Sequence, residues 1–152
     1  MKKLIAFLIC LFAVFSLAAC GSDPVPDTFT DTLEAAEKLI GFKLSAPDSI
    51  DGSTSRNYRA TGRKLEIMYF SGKVLRGRVC KDENPSGVNA QDYGYIHTEY
   101  VQDGKIEYTL CGSEGGENFS LAMWENGKYS YMLLLGSERT PEELIELCKT
   151  IK

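Results

Sequence analysis

The sequence predicts an α+β domain: an antiparallel β-meander of about six strands, with an N-terminal and a C-terminal helix packed on one face. Three observations carry this expectation. Apolar residues recur at helical spacing near residue 36 and again near residue 147, and between those stretches the period falls to two. Ser71-Gly72, Asp103-Gly104 and Asn126-Gly127 separate alternating runs, and such pairs mark hairpins because the turn needs residues that tolerate positive φ. Two amphipathic helices need an apolar surface, and one face of a sheet supplies it. The domain is expected to span 31–152.

The chain opens with a different kind of segment. Lys2 and Lys3 precede an uncharged run from Leu4 to Ala19. That run is shorter than the roughly 20 apolar residues a spanning helix needs, and it suits a signal peptide. It ends in Leu17-Ala18-Ala19-Cys20, with small residues before the cysteine. This ending resembles the lipobox of bacterial lipoproteins. The resemblance implies a signal peptide over 1–19 and a lipid on the Cys20 thiol. It implies a lipid-held place on a membrane, outside the cytoplasm. Two or more acyl chains anchor stably where one chain binds only marginally. Cys10, without small residues before it, reads as apolar filler. Residues 20–30 read as lipidated cysteine and tether, because Gly21 to Thr28 is small, polar and proline-containing.

In the domain, Asp31 is placed to cap the first helix, with Glu34 completing a capping box. Leu33, Ala36, Leu39 and Ile40 form its apolar stripe, and Gly41 stops it. Strands are expected at 64–70, 74–81, 95–102, 105–111, 118–125 and 128–135. A polar loop is expected at 82–92. The last helix is signalled by Thr140 as cap, Pro141 at the first helical position and Glu143 closing the box. Leu144, Leu147, Cys148 and Ile151 line its buried side.

Pairing through Asn126-Gly127 sets Met123 beside Ser130, Leu121 beside Met132 and Trp124 beside Tyr129. Both faces of this hairpin are then apolar or aromatic, although antiparallel sheets with helices on one side usually turn a polar face outward. Trp124, Tyr129 and Tyr131 therefore need cover. Sheet curvature or the segment 47–60 would supply it. Otherwise these residues form a binding face.

The helix TLEAAEKLIGFKL (Thr32 to Leu44), the hairpin SLAMWENGKYSYMLLL (Ser120 to Leu135) and the helix TPEELIELCKTIK (Thr140 to Lys152) resemble the domain-of-unknown-function family 4367 of exported Firmicutes proteins. The likeness spans roughly Thr32 to Lys152. It implies the fold and an extracytoplasmic place, lipid-anchored to the cell membrane and facing outside the cytoplasm, and it brings no catalytic residues. Cys80 and Cys111 stand outside its pattern.

The formal net charge of −4 becomes more acidic once Lys2 and Lys3 are cut away, which argues against nucleic acid as a partner. Cys148 lies on a helix stripe and reads as a core thiol. Cys80 and Cys111 share a sheet face, and a plain meander leaves one strand between them, about 9.6 Å of spacing. That exceeds the roughly 7 Å a disulfide spans, so the bond requires another strand order. His97 is the only histidine, and no paired spacing such as CxxC or HxxxH points to a metal. Hairpin pairing puts His97 opposite Leu110, beside Cys111 but on the other face. Glu114, Glu117 and Asp82-Glu83 lack the spacing of a calcium loop. Gly115-Gly116 opens no helix, so it is no phosphate loop. Arg56, Arg59, Arg63 and Lys64 form a loose basic group, read as a solvated loop.

The expectation is therefore a lipoprotein held to the membrane through Cys20, whose domain is a binding or interaction module and not an enzyme. No cofactor and no metal are expected. An envelope protein or peptide is the expected partner. The alternative is a carrier of a small apolar ligand or lipid, in a cavity between sheet and helices.

Overall fold

A computed structural model describes residues 25–84 and 93–152. The leader, Cys20 and the start of the tether lie outside the described residues, as does most of the loop read at 82–92. The elements run β1 (Val25–Thr30), α1 (Leu33–Ile40), β2 (Ser55–Gly62), β3 (Lys64–Ser71), β4 (Val74–Asp82), β5 (His97–Asp103), β6 (Ile106–Gly112), β7 (Phe119–Asn126), β8 (Tyr129–Arg139) and α2 (Pro141–Lys149). An antiparallel sheet with two helices is present, as the α+β reading holds. The finer description needs correction. The sheet has eight strands, not six, and α1 follows a strand instead of leading the domain.

The two extra strands were hidden by their composition. β1 (VPDTFT) carries a proline and polar residues, which resembled a tether, yet it forms an edge of the sheet. Proline is tolerated there because an edge strand can turn a missing N–H toward solvent. β2 (SRNYRATG) holds two arginines, but Tyr58 and Ala60 alternate inward and are buried. Its turn into β3 is Gly62-Arg63, with Gly62 at φ 59°.

The strand order is β1-β2-β3-β4-β8-β7-β6-β5. Two four-stranded meanders, β1–β4 and β5–β8, join where β4 pairs with β8. The expected plain meander is thus broken between β4 and β5. The chain leaves β4 and re-enters at the far edge, a lateral step of about 19 Å. A two-residue turn cannot make that step, and the long polar stretch after Asp82 can. β4 becomes a central strand, in keeping with the burial of Val79, Cys80, Lys81 and Asp82 at its end.

Both late hairpins turn one residue further on than the dipeptide rule suggested, which shifts every cross-strand partner by two. Asp103 pairs with Ile106 and Asn126 with Tyr129, leaving Gly104-Lys105 and Gly127-Lys128 as the turn residues. A shift of two keeps every side chain on its face while changing its partner. Trp124 therefore lies opposite Tyr131, Met123 opposite Met132 and His97 opposite Gly112.

The N-cap of α1 is Thr32, not Asp31. Thr32 has extended backbone angles and its hydroxyl accepts from the Ala35 N–H at 3.2 Å. Gly41, at φ 84°, ends the helix with its N–H on the Glu37 carbonyl. α2 has the capping box read from its sequence, between Thr140 and Glu143. α1 packs on β1, β2 and β3, and α2 packs on β7 and β8. Paired backbone bonds between Ser45 and Lys152 (2.8 and 2.9 Å) tie the segment after α1 to the segment after α2. Ala36, Leu65, Leu110, Leu133, Leu144 and Cys148 belong to one continuous apolar cluster beneath the helices.

Candidate functional site

The register lays one row of side chains across all eight strands on each side of the sheet. Beneath the helices the row reads Thr28, Ala60, Leu65, Lys81, Tyr131, Trp124, Tyr108, Val101. On the other side it reads Phe29, Arg59, Glu66, Cys80, Met132, Met123, Thr109, Tyr100.

The first row corrects the binding face expected at Trp124, Tyr129 and Tyr131. Trp124 and Tyr131 are each 5 % exposed and belong to the main core. Their rings stack at 5.2 Å, and Tyr108 continues the ladder at 5.7 Å from Trp124. Tyr129 is half-buried against Phe42, with ring centroids 5.2 Å apart. The aromatic face lies under the helices because α2 and the segment after α1 pack on that side of β7 and β8. The cover comes from the helices and the segment after α1.

Lys81 sits in this row and was not singled out by its sequence. Its Nζ lies 4.5 Å from the Tyr129 ring centre and 5.4 Å from that of Tyr131, and donates to the Lys43 carbonyl at 2.6 Å. Loss of hydration lowers its pKa, and the Glu37 carboxylate pulls the other way. The aromatic faces and the carbonyl stabilise the cation inside the fold.

The second side holds a small apolar cluster of Cys80, Cys111, Leu121 and Met132, against which Tyr93 and Tyr95 pack. Both tyrosines belong to the crossover from β4 to β5, so its described end lies over this side. The Tyr95 hydroxyl is 2.7 Å from Ser120 Oγ. This accounts for the two-sided apolar character of the β7–β8 hairpin. Each face has its own cover.

Next to the cluster is a charged centre. Glu66 is 1 % exposed. Its carboxylate lies 3.3 Å from Arg59, 3.5 Å from Lys64 and 3.8 Å from Arg78, and accepts from the Cys80 thiol at 3.3 Å. Arg59 also grips Asp27 at 2.6 and 2.7 Å, and that hydrogen bond lowers the Asp27 pKa. The basic group read as a solvated loop is therefore split. Arg59 and Lys64 neutralise Glu66, and Arg56 pairs with Asp48 at 3.0 Å. At the opposite end of the same side, a groove of about 490 Å³ is lined by Lys105, Glu107, Thr109, Met123, Glu125 and Ser130, and Trp124 and Tyr131 also line it.

The remaining candidates do not converge. Cys80, Cys111 and Cys148 are free and buried. The strand order does depart from a plain meander, but in the direction that separates Cys80 from Cys111. β8 and β7 now lie between their strands, three spacings or about 14 Å. Burial raises the thiol pKa at Cys80, with the Glu66 carboxylate adding to it, and burial raises it at Cys111 and Cys148. Such thiols are poor nucleophiles. His97 stacks on Phe119 at 5.5 Å, on the side away from Cys111. Glu114 and Glu117 are exposed in a turn, while Asp82 is buried at the end of β4 and accepts from the Asn84 N–H. Among the described residues no group of three His, Cys, Asp or Glu side chains could hold a metal ion. No described helix is long and apolar enough to cross a membrane.

Comparison of the chain with protein-family models, curated proteins and solved structures finds no match.

Proposed function

We propose that this protein is a lipoprotein anchored outside the cytoplasm through Cys20, and that its domain is a non-catalytic binding module contacting an envelope protein or peptide through the side of the sheet that carries Met123. The observation behind the binding role is the groove beside Met123, next to the cluster on which Tyr93 and Tyr95 pack. The anchor rests on the basic start, apolar run and LAAC ending. Because β1 begins at Val25, only about five residues would join lipid to sheet, at most about 18 Å. The β1 edge then lies close to the bilayer. The interior gives the carrier reading no support, since Leu65, Tyr69, Leu110, Leu133 and Leu144 fill the space under the helices.

The test has two arms. The full chain, expressed in a bacterial host, should incorporate a labelled fatty acid, and Cys20→Ala should lose the label. The lipidated chain in mild detergent should then capture an envelope protein that Met123→Lys fails to capture, with the fold of the variant checked by circular dichroism. Capture unaffected by Met123→Lys overturns the proposed surface. A co-purified lipid in place of a protein favours the carrier.

A further inference from the structure

We infer that β5 is a pairing edge for a second copy of this chain, joined antiparallel about a two-fold axis through Tyr100. The inference goes beyond the proposed function and does not depend on the anchor. An open sheet has two edges, and natural edges are usually blunted by proline, lysine, bulges or covering segments. The two edges of this sheet differ. β1 has Pro26 within it and an irregular register between Val25 and Thr28, and its Asp27 is held by Arg59. β5 (HTEYVQD) has seven residues with no proline, no glycine and no lysine, in unbroken register with β6. Beside this edge Ile96 and Tyr100 are 72 % and 70 % exposed, the two largest values among the exposed large hydrophobic residues described.

The length and the charges of β5 together select the register. In a two-fold antiparallel pair the central residue meets itself, and side chains that face each other lie on the same side of the sheet. Centring on Glu99 sets two glutamates against each other. Centring on Val101 sets Glu99 against Asp103 of the second copy. Like charges directly opposite are destabilising. Centring on Tyr100, the midpoint of β5, avoids both clashes and is the register in which all seven residues of the strand find a partner. Tyr100 then meets Tyr100, Thr98 meets Gln102, Glu99 meets Val101 and His97 meets Asp103. Aromatic pairs and polar pairs of this kind favour cross-strand association. The Tyr100 end of the second-side row then continues into the same row of the other copy, forming one sheet through both molecules. Two edges are removed by this pairing, and the more guarded β1 edges are left outermost.

The experiment is site-directed cross-linking in the full chain, in membranes of the expressing host. Tyr100→Cys should give a disulfide-linked dimer on mild oxidation, because the two positions face each other. In a Cys111→Ser background, which removes the thiol facing position 98 within the chain, Thr98→Cys and Gln102→Cys should each stay monomeric, and the Thr98→Cys/Gln102→Cys double variant should cross-link. Sedimentation of the purified wild-type chain in detergent should show a concentration-dependent dimer, and Tyr100→Lys should remain a monomer with unchanged circular dichroism. A wild type that stays monomeric throughout, or cross-linking that ignores these positions, overturns the inference.

Discussion

Trp124 and Tyr131 lie face to face across the β7–β8 hairpin, their ring planes 7° apart and their centroids 5.2 Å apart. The pair is directly cross-strand and buried beneath the helices. Truncating a buried tryptophan to alanine costs about 3–5 kcal/mol, so Trp124→Ala should lower the urea midpoint substantially. The coupling with Tyr131→Ala should be about 0.5–1.5 kcal/mol in a double-mutant cycle. Trp124 is the only tryptophan, so unfolding must be followed by circular dichroism. A Trp124→Ala protein as stable as wild type would remove the pair from the core.

The charge centre on the other side makes a second prediction. Glu66→Ala leaves Arg59, Lys64 and Arg78 facing one another without their shared carboxylate. Breaking a buried ion pair costs about 3–5 kcal/mol, and the partly exposed cations place this case near the lower end. Asp27→Ala, at the surface, should be much milder. Chemical denaturation of the two variants gives the comparison, and equal losses would contradict the central place of Glu66.

The start of α1 can be tested against its neighbour. Thr32→Ala removes the cap and should cost about 1 kcal/mol. Asp31→Ala should cost clearly less, because the cap bond to Ala35 comes from Thr32. The reverse order of thermal midpoints would restore Asp31 as the cap.

Tyr69 predicts a dependence on alkaline pH. Its hydroxyl donates to the Pro47 carbonyl at 2.7 Å, and burial pushes its pKa up from 10.0 to about 12. In that window the folded state holds a proton that the unfolded chain releases. The stability due to this group is complete below pH 10 and is lost as pH rises through about 12. Tyr69→Phe should flatten the decline, measured as urea stability at stepped pH. The remaining slope is shared by Tyr93, Tyr108 and Tyr131 and by the buried thiols of Cys80, Cys111 and Cys148, whose pKa values burial also raises. An unchanged slope in Tyr69→Phe would exclude this tyrosine as a contributor.

How much of this was legible in the sequence varies with the range of the interaction. The α2 capping box, the apolar stripes of both helices and the strands from Lys64 onward follow from local periodicity and turn chemistry. Those signals lie within a few residues of what they specify. β1 and β2 were illegible because edge and near-edge strands can carry proline and arginine. Their membership depends on cross-strand neighbours: Phe29 lies on Arg59, thirty residues further along the chain, and Arg59 on Glu66, beyond a turn that the composition of β2 does not announce.

The same division runs through the candidate site. The sequence by itself determined that both faces of the β7–β8 hairpin are apolar, since alternation assigns each side chain to a face whatever the partner. It also determined that Cys80 and Cys111 share a face. Only the tertiary structure decided which face the helices cover, and it turned Trp124 and Tyr131 from an expected contact surface into core. It alone decided that β4 pairs with β8, which separates the two thiols, and that β2 joins β3, which brings Arg59 to Glu66 beside Lys64 and Arg78. The physical reason is that alternation carries one bit per residue, inward or outward. Strand order is set by the summed burial of all eight strands and by how far the crossover after Asp82 can reach.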